Sequence, residues 1–342
     1  MKELIRKILR FTKYYAIKHR LEIMKSAITD PDCLSMRERI HREEKLSPRR
    51  ILFTYFLCVL RYKTTMEEYM LLSLCKLNSA ARHKFVYVNS VTKIRDKINN
   101  VEYINYFLHK HLFNKTFCGY IGRSWVYAPD HTDEEIIDFI KKTRIVLVKP
   151  VDQLKGRGIF KVDYNLIDNH EHFCCEAKKN KYLIEEIIIQ HPDLSAVNPN
   201  SVNTLRINTI LCKTGELYFI NAVFRCAVND AVIDNFAQGG IVTSVDLETG
   251  LLRSNSIDIK GQRYMRHPLT NIVLPGFQIP MWDQTLDLLR EAAKVIPQIR
   301  LVGWDVAITE AGPVLVEGNH ESGPRLMQHE GVGIRSLLIG QV

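Results

Sequence analysis

The chain has 342 residues, 46% of them hydrophobic and 25% charged, which is enough for two domains or one large one. That balance excludes a disordered chain, a coiled coil and a small disulfide scaffold. Lys and Arg outnumber Asp and Glu by 47 to 38, but residues 1–50 alone hold 14 basic and 7 acidic side chains. The remaining body is nearly neutral, which excludes a uniformly basic nucleic-acid binder.

The leading segment carries Lys2, Arg6, Lys7, Arg10, Lys13, Lys18, Arg20 and Lys25 among Leu4, Ile5, Ile8, Leu9, Phe11, Tyr14 and Tyr15. This spacing predicts a basic helix. Such a helix either lies on an anionic membrane surface through residues 1–25 or packs, solvated, against its own domain. No uninterrupted apolar run and no small-residue cleavage site follows, which argues against a signal peptide. The most apolar early stretch runs from Ile51 to Leu60. It falls short of the ~20 residues a membrane span needs and predicts a buried helix or helix core.

Residues 1–118 read as mostly helical, with breaks at Pro31-Asp32 and Ser47-Pro48. Helices are expected over Thr65–Leu77 and from Asp96 toward Leu112, and a domain boundary between 112 and 130. His131 to Lys142 has an acidic first turn (Asp133, Glu134, Glu135) and ends near Lys141 and Lys142, a polarity that suits the helix dipole. The branched run Ile145–Val148 predicts a strand with Lys149 at its end, and Tyr182–Ile189 and Val202–Leu211 follow in the same style. Helix, strand and glycine-containing loop in succession indicate an α+β or α/β body. The eight Cys are scattered without C-x-x-C spacing. They read as free thiols of a reduced, intracellular protein, and the adjacent Cys174 and Cys175 as unbridged.

After Lys149, the loop holds Gly156 and Gly158 flanked by Lys155 and Arg157. Close glycines let backbone N–H groups turn toward a ligand, and the extra cations suit a polyphosphate. A basic hairpin turn without a ligand is the plainer alternative. The pattern is neither a Walker loop nor a dinucleotide fingerprint.

Residues 304–319 form two alternating runs around Glu310-Ala-Gly-Pro313, a hairpin signal. A turn centred near Ala311 sets Asp305 opposite Glu317 and places Asn319 on their face, with Val306, Ile308, Val314 and Val316 on the other. Like charges facing each other need something between them, and Mg²⁺ accepts such hard oxygen donors; a solvent-facing acidic edge is the plainer alternative. A second hairpin, Val202–Leu211 and Leu217–Cys226, turns through Lys213-Thr-Gly-Glu216. Centred between Thr214 and Gly215, it pairs Thr204 with Arg225 and Arg206 with Val223. Arg206, Asn208, Asn221 and Arg225 then share one face, and Leu205, Ile207, Ile220, Ala222 and Phe224 the other. Two arginines on one face need anions, from protein carboxylates or a ligand. Glu185 and Glu186 are acids inside an apolar run. His191, beside Pro192, reads as a turn residue rather than a base.

The ordered set Lys149-Pro with Gly156 and Gly158, Glu185-Glu186, Ser201-Val-Asn-Thr-Leu-Arg206, Asp234-Asn-Phe with Gly239-Gly240, and Gly303-Trp-Asp305 followed by Glu317-Gly-Asn319 resembles the ATP-grasp superfamily. More narrowly it resembles the sugar-transfer-associated ATP-grasp proteins of bacterial surface-polysaccharide biosynthesis, over roughly residues 110–330. The resemblance implies an α+β fold of two subdomains that clasp ATP, here about 119–190 and 191–342, preceded by a helical region over 1–118. It implies that Lys149 contacts phosphate under a closing 153–159 loop, and that Glu186, or Glu185, holds adenosine. Asp305, Glu317 and Asn319 would take Mg²⁺, and an earlier lysine, Lys110 or Lys115, would reach phosphate.

The implied activity is an ATP-dependent carboxylate–amine ligase working through an acyl phosphate, with Arg206 and Arg225 near the acyl group. Its substrates would be small-molecule acids and amines, with no nucleic acid partner, in the cytoplasm or at the inner membrane face. A small-molecule or sugar kinase and a non-catalytic ATP-binding scaffold are the rival readings. The helical start departs from the α/β domain many such proteins carry.

Overall fold

The computed structural model describes residues 17–151, 158–228, 239–328 and 331–342. Contacts divide the chain into two compact units: 1–95 with 259–262 and 323–342, and 96–258 with 263–322. The stretch 96–118, expected with the helical start, belongs to the second unit. There Phe107 and Phe117 pack edge-on against Trp304, with ring centroids 5.8 and 5.6 Å away, and Phe113 stacks on Phe117 at 4.5 Å and meets Phe107 edge-on at 6.0 Å.

Every regular element of the first unit among its described residues is helical. Pro31 and Pro48 open the helices Pro31–Glu44 and Pro48–Tyr62, capped by the side chains of Asp30 and Ser47, because a residue without an N–H is tolerated only in the first turn. A Thr65–Glu68 capping box starts the short helix Met66–Leu71, and a 3₁₀ turn over Leu74–Lys76 replaces the rest of the expected Thr65–Leu77 helix. The apolar run Ile51–Leu60 is helical but not wholly buried. Ile51, Tyr55, Cys58 and Val59 enter the core, while Phe53 is 65% exposed and Leu57 and Leu60 face solvent. The Gln328 side chain ties the C-terminal segment to the unit by bonding both N–H and C=O of Val86, at 2.9 and 2.7 Å.

The second unit contains two antiparallel sheets. The first comprises β1 (Trp125–Tyr127), β2 (Ile145–Pro150), β3 (Phe160–Asp163) and β4 (Tyr182–Glu186), in the order β1-β4-β2-β3. Helices Asp133–Thr143, opened by a Thr132–Glu135 capping box, and His170–Lys179 cover one face, where Ile136, Ile140 and Ala177 meet Val146, Val148 and Ile184. Strand alternation sends Leu147, Lys149 and Glu185 to the opposite face.

The second sheet comprises β5 (Thr204–Leu211), β6 (Leu217–Cys226), β7 (Ile241–Val245), β8 (Ser256–Ile257), β9 (Arg263–Tyr264), β10 (Leu301–Thr309) and β11 (Gly312–Asn319), in the order β11-β10-β5-β6-β7-β8-β9. Both hairpins form, and each carries one extra residue. In β10–β11 the tight turn pairs Thr309 with Gly312, and the register shifts beyond Val306–Leu315 so that Asp305 faces Glu317. In β5–β6, Thr209 pairs with Phe219 but Asn208 with Asn221. Val316 and Ile220 are the bulged residues, and each bulge restores the expected register on its far side. Leu315, not Val314 or Val316, therefore shares the core with Val306 and Ile308, and Ile220 leaves the face of Ala222 and Phe224. Gly318 lies under the aromatic cluster, where a Cβ would come within 2.8 Å of Phe107.

All eight cysteines are free thiols. His191 caps the helix Pro192–Val197, its Nδ1 accepting from the Asp193 N–H.

Candidate active site

Asp305 sits in a central strand with Arg206 of β5 on one side and Glu317 of β11 on the other. Arg206 donates through Nε and Nη2 to the two carboxylate oxygens, at 2.5 and 2.9 Å. Arg225 adds a contact of 3.2 Å to Oδ2 while its Nε and Nη2 also donate to Thr204 Oγ1. Burial opposes ionisation of Asp305, but the two guanidinium charges hold its carboxyl below the usual range. The Asn319 amide donates to Glu317 Oε1 at 3.1 Å and reaches Asp305 Oδ2 at 3.5 Å. The amide of Asn319 thus bridges the facing acids, while the two arginines neutralise Asp305 from its other side. On the same face Asn208 donates to Asn221 at 2.8 Å and accepts from Ser322.

The first sheet contributes a second cluster. Glu185 is 1% exposed and receives Lys149 Nζ on Oε2, and Arg123 Nη2 (3.0 Å) and Asn114 Nδ2 (2.6 Å) on Oε1. Burial alone would raise its carboxyl, yet the Arg123 and Lys149 charges hold it at about 2. Glu186 is exposed and accepts from the Ser124 N–H at 3.1 Å. Arg123 also donates to the carbonyls of Leu315 (2.7 Å) and Val316 (3.3 Å). One side chain therefore links the Lys149–Glu185 cluster to the bulge next to Glu317.

Arg123 and Asn114 were not singled out by sequence. Asn114 lies between the two candidate lysines Lys110 and Lys115, and Gly122-Arg-Ser124 has no pattern that marks a buried cation. Lys110 and Lys115 lie on the helix Lys110–Thr116, Lys110 half-buried and Lys115 exposed. Gly158 has the left-handed φ of 69° a glycine permits. Lys155, Gly156 and Asp234-Asn-Phe lie outside the described residues, as does most of the basic leading segment.

A family model for sugar-transfer associated ATP-grasp proteins matches residues 124–339. The chain belongs to this family. The ATP-grasp match runs from the start of β1 past β11, so both clusters fall inside it, apart from Arg123 and Asn114 just ahead. No curated relative matches the chain.

Among solved structures, this ATP-grasp chain is similar to D-cycloserine synthetase DcsG, with 10% identity over 71% of this chain and 72% of that one and a TM-score of 0.43. D-alanyl-alanine synthetase A from Vibrio cholerae O1 biovar eltor gives 14% identity, 69% and 63% coverage, and a TM-score of 0.42. The ATP-grasp ligase PsnB, complexed with minimal precursor, Mg and ADP, gives 12%, 71% and 61%, and a TM-score of 0.40. The chain spans about three fifths of PsnB's length.

The donor set fits a divalent cation. Glu317 and Asn319 offer hard oxygens beside Asp305, whose carboxylate retains a lone pair beyond the three arginine contacts. Asn319 already bridges the two acids, so a cation there would take over an existing link.

Proposed function

We propose that this chain is an ATP- and Mg²⁺-dependent ligase that joins a small carboxylate to an amine in bacterial surface-polysaccharide assembly. The observation that carries the reading is the Asp305–Glu317–Asn319 face, ordered by Arg206 and Arg225, in a chain of the ATP-grasp family. Glu317, Asn319 and Asp305 would hold Mg²⁺, which when bound neutralises charge on phosphoryl oxygens. Lys149, oriented by Glu185, would donate to ATP phosphate. Of the two earlier lysines we assign Lys110, which shares a helix face with Asn114 at i, i+4. Glu186, open to solvent, would meet the adenosine.

A substrate carboxylate oxygen attacks the γ-phosphorus and ADP leaves. The amine then attacks the acyl carbon, phosphate leaves, and the amine proton passes to water. Arg206 spends Nε and Nη2 on Asp305, and its Nη1 makes no hydrogen bond or ion pair among the described residues. That Nη1 group is available to the oxyanion of the second step. Arg225, only 9% exposed, acts instead as a positioning residue for Asp305.

The test is ATP-dependent phosphate release over paired sugar acids, amino acids and amines, with mass spectrometry of products. Release that needs both acid and amine supports the ligase. A phosphorylated product without release of phosphate makes it a kinase. Lys149→Gln should raise KM for ATP about tenfold and lower kcat by roughly a hundredfold; an unchanged KM removes Lys149 from the nucleotide site.

No helix among the described residues is long and apolar enough to cross a membrane. Peripheral contact of residues 1–25 with the inner membrane face is part of the proposal. Removing residues 1–16 should weaken cosedimentation with anionic vesicles at low salt by about tenfold. Equal pelleting of the two forms rejects the contact.

A further inference from the structure

The helical unit contains a cavity of about 280 Å³ with no part in the ligase chemistry. Arg20, Arg61, Lys63 and Arg335 line it, and no Asp or Glu does. None of the four pairs with a carboxylate among the described residues. Arg20 Nε is buried without a hydrogen-bond acceptor among the described residues, a donor that costs stability unless a ligand satisfies it. Arg61 is held in place by Ser79 Oγ, 3.0 Å from Nη1, and by the Tyr62 ring, whose centroid lies 5.6 Å from the guanidinium carbon. Tyr62 in turn stacks on Tyr87 at 4.8 Å.

The surrounding charge points the same way. This unit carries 24 Lys and Arg against 10 Asp and Glu, and the other unit 23 against 28. The whole basic excess of the protein therefore belongs to the unit that holds this cavity. Four cations around one concavity repel each other and concentrate anions, and two or more guanidinium forks suit the oxygens of a phosphoryl group. The volume exceeds that of a single phosphate, leaving room for a second phosphate or an organic substituent against the aromatic wall.

We propose that this cavity is a second anion site, which takes the phosphate or diphosphate group of a ligand distinct from the ATP of the active site. The group could belong to a soluble phosphoester or to a lipid headgroup. Leu21 and Leu60, next to Arg20 and Arg61 in sequence, are 59% and 55% exposed, which gives the lipid source its own test. The inference does not rest on the ligase reading.

The experiment titrates the full chain with inorganic pyrophosphate by calorimetry at about 25 mM salt, and separately floats it with phosphatidylcholine vesicles holding about 20 mol% phosphatidic acid. Wild type, Arg20→Gln/Arg335→Gln, Lys63→Gln and Lys149→Gln are compared, with thermal unfolding to establish that each is folded. Saturable pyrophosphate binding that survives Lys149→Gln and weakens about tenfold or more in the cavity variants supports the site with a soluble ligand. Vesicle binding alone, weakened by the same variants, supports a headgroup phosphate. Binding that the cavity variants leave unchanged, pyrophosphate binding lost only in Lys149→Gln, or no binding of either probe overturns the proposal.

Discussion

Asp305→Asn should remove ATP turnover and weaken the fold, whereas Glu317→Gln should remove turnover alone. The difference comes from what each carboxylate holds. Asp305 is 3% exposed and is the shared counter-charge of Arg206 and Arg225. A neutral amide there removes the negative charge that both guanidiniums share, and breaking a buried pair costs about 3–5 kcal/mol. Glu317 is half-buried and accepts only from Asn319 among the contacts described, so its amide should cost about 1 kcal/mol or less. Each variant should lower phosphate release by roughly 10²–10³. Denaturant unfolding and phosphate release on the same samples check both halves. Unchanged stability of Asp305→Asn would show that the arginines need no counter-charge, and unchanged turnover in either variant would remove that residue from the site.

Much of this arrangement was legible in the chain because its determinants are local. Alternation and turn chemistry place Asp305 opposite Glu317 and Arg206 opposite Val223, and the structure has both pairs. The apolar faces were legible only in part, since a bulge changes side-chain direction without a marker in the pattern: Val316 and Ile220 look like ordinary alternating residues. The contact between the two hairpins was not legible. Arg206 and Asp305 are 99 residues apart in sequence, and nothing in either hairpin specifies that β10 lies beside β5. The anion required by the two arginines could be named only as a protein carboxylate or a ligand oxygen; it is Asp305. The same limit applies to Glu185, an evident oddity in an apolar strand whose partners, Asn114 and Arg123, come from outside its sheet.

The motif Ser201-Val-Asn-Thr-Leu-Arg206 illustrates how a recognised pattern mixes roles. Arg206 faces Asp305, and Thr204 holds Arg225. Asn203 is wholly buried, donating through Nδ2 to Gln190 Oε1, Leu194 O and Asn198 O at 2.7–3.1 Å. That amide anchors the loop entering β5, because buried carbonyls at a helix end and in the loop after it need such donors. One residue of the motif therefore sets the strand's entry while another meets the site.

Arg123→Gln should be the most damaging change outside the carboxylate face, and its cost should depend on pH. The side chain neutralises Glu185 and holds the carbonyls of Leu315 and Val316 at the bulge. Its loss leaves Glu185 buried with Lys149 as its remaining cation, at about 3–5 kcal/mol near neutral pH. Glu185 titrates at about 2 in the folded protein against an ordinary value of 4.5. The folded state thus binds fewer protons, and this carboxylate's contribution, on the order of 3 kcal/mol, is complete above pH 4.5 and lost as pH falls toward 2. Removing Arg123 raises the folded value and shrinks that contribution. The stability gap between wild type and variant should therefore narrow as pH drops from about 5 toward 2. The part that persists in acid belongs to the carbonyl contacts that fix β11. Urea unfolding across that range measures both parts. A gap that stays constant with pH would mean that Arg123 acts only on the β11 backbone and that Lys149 alone keeps Glu185 ionised.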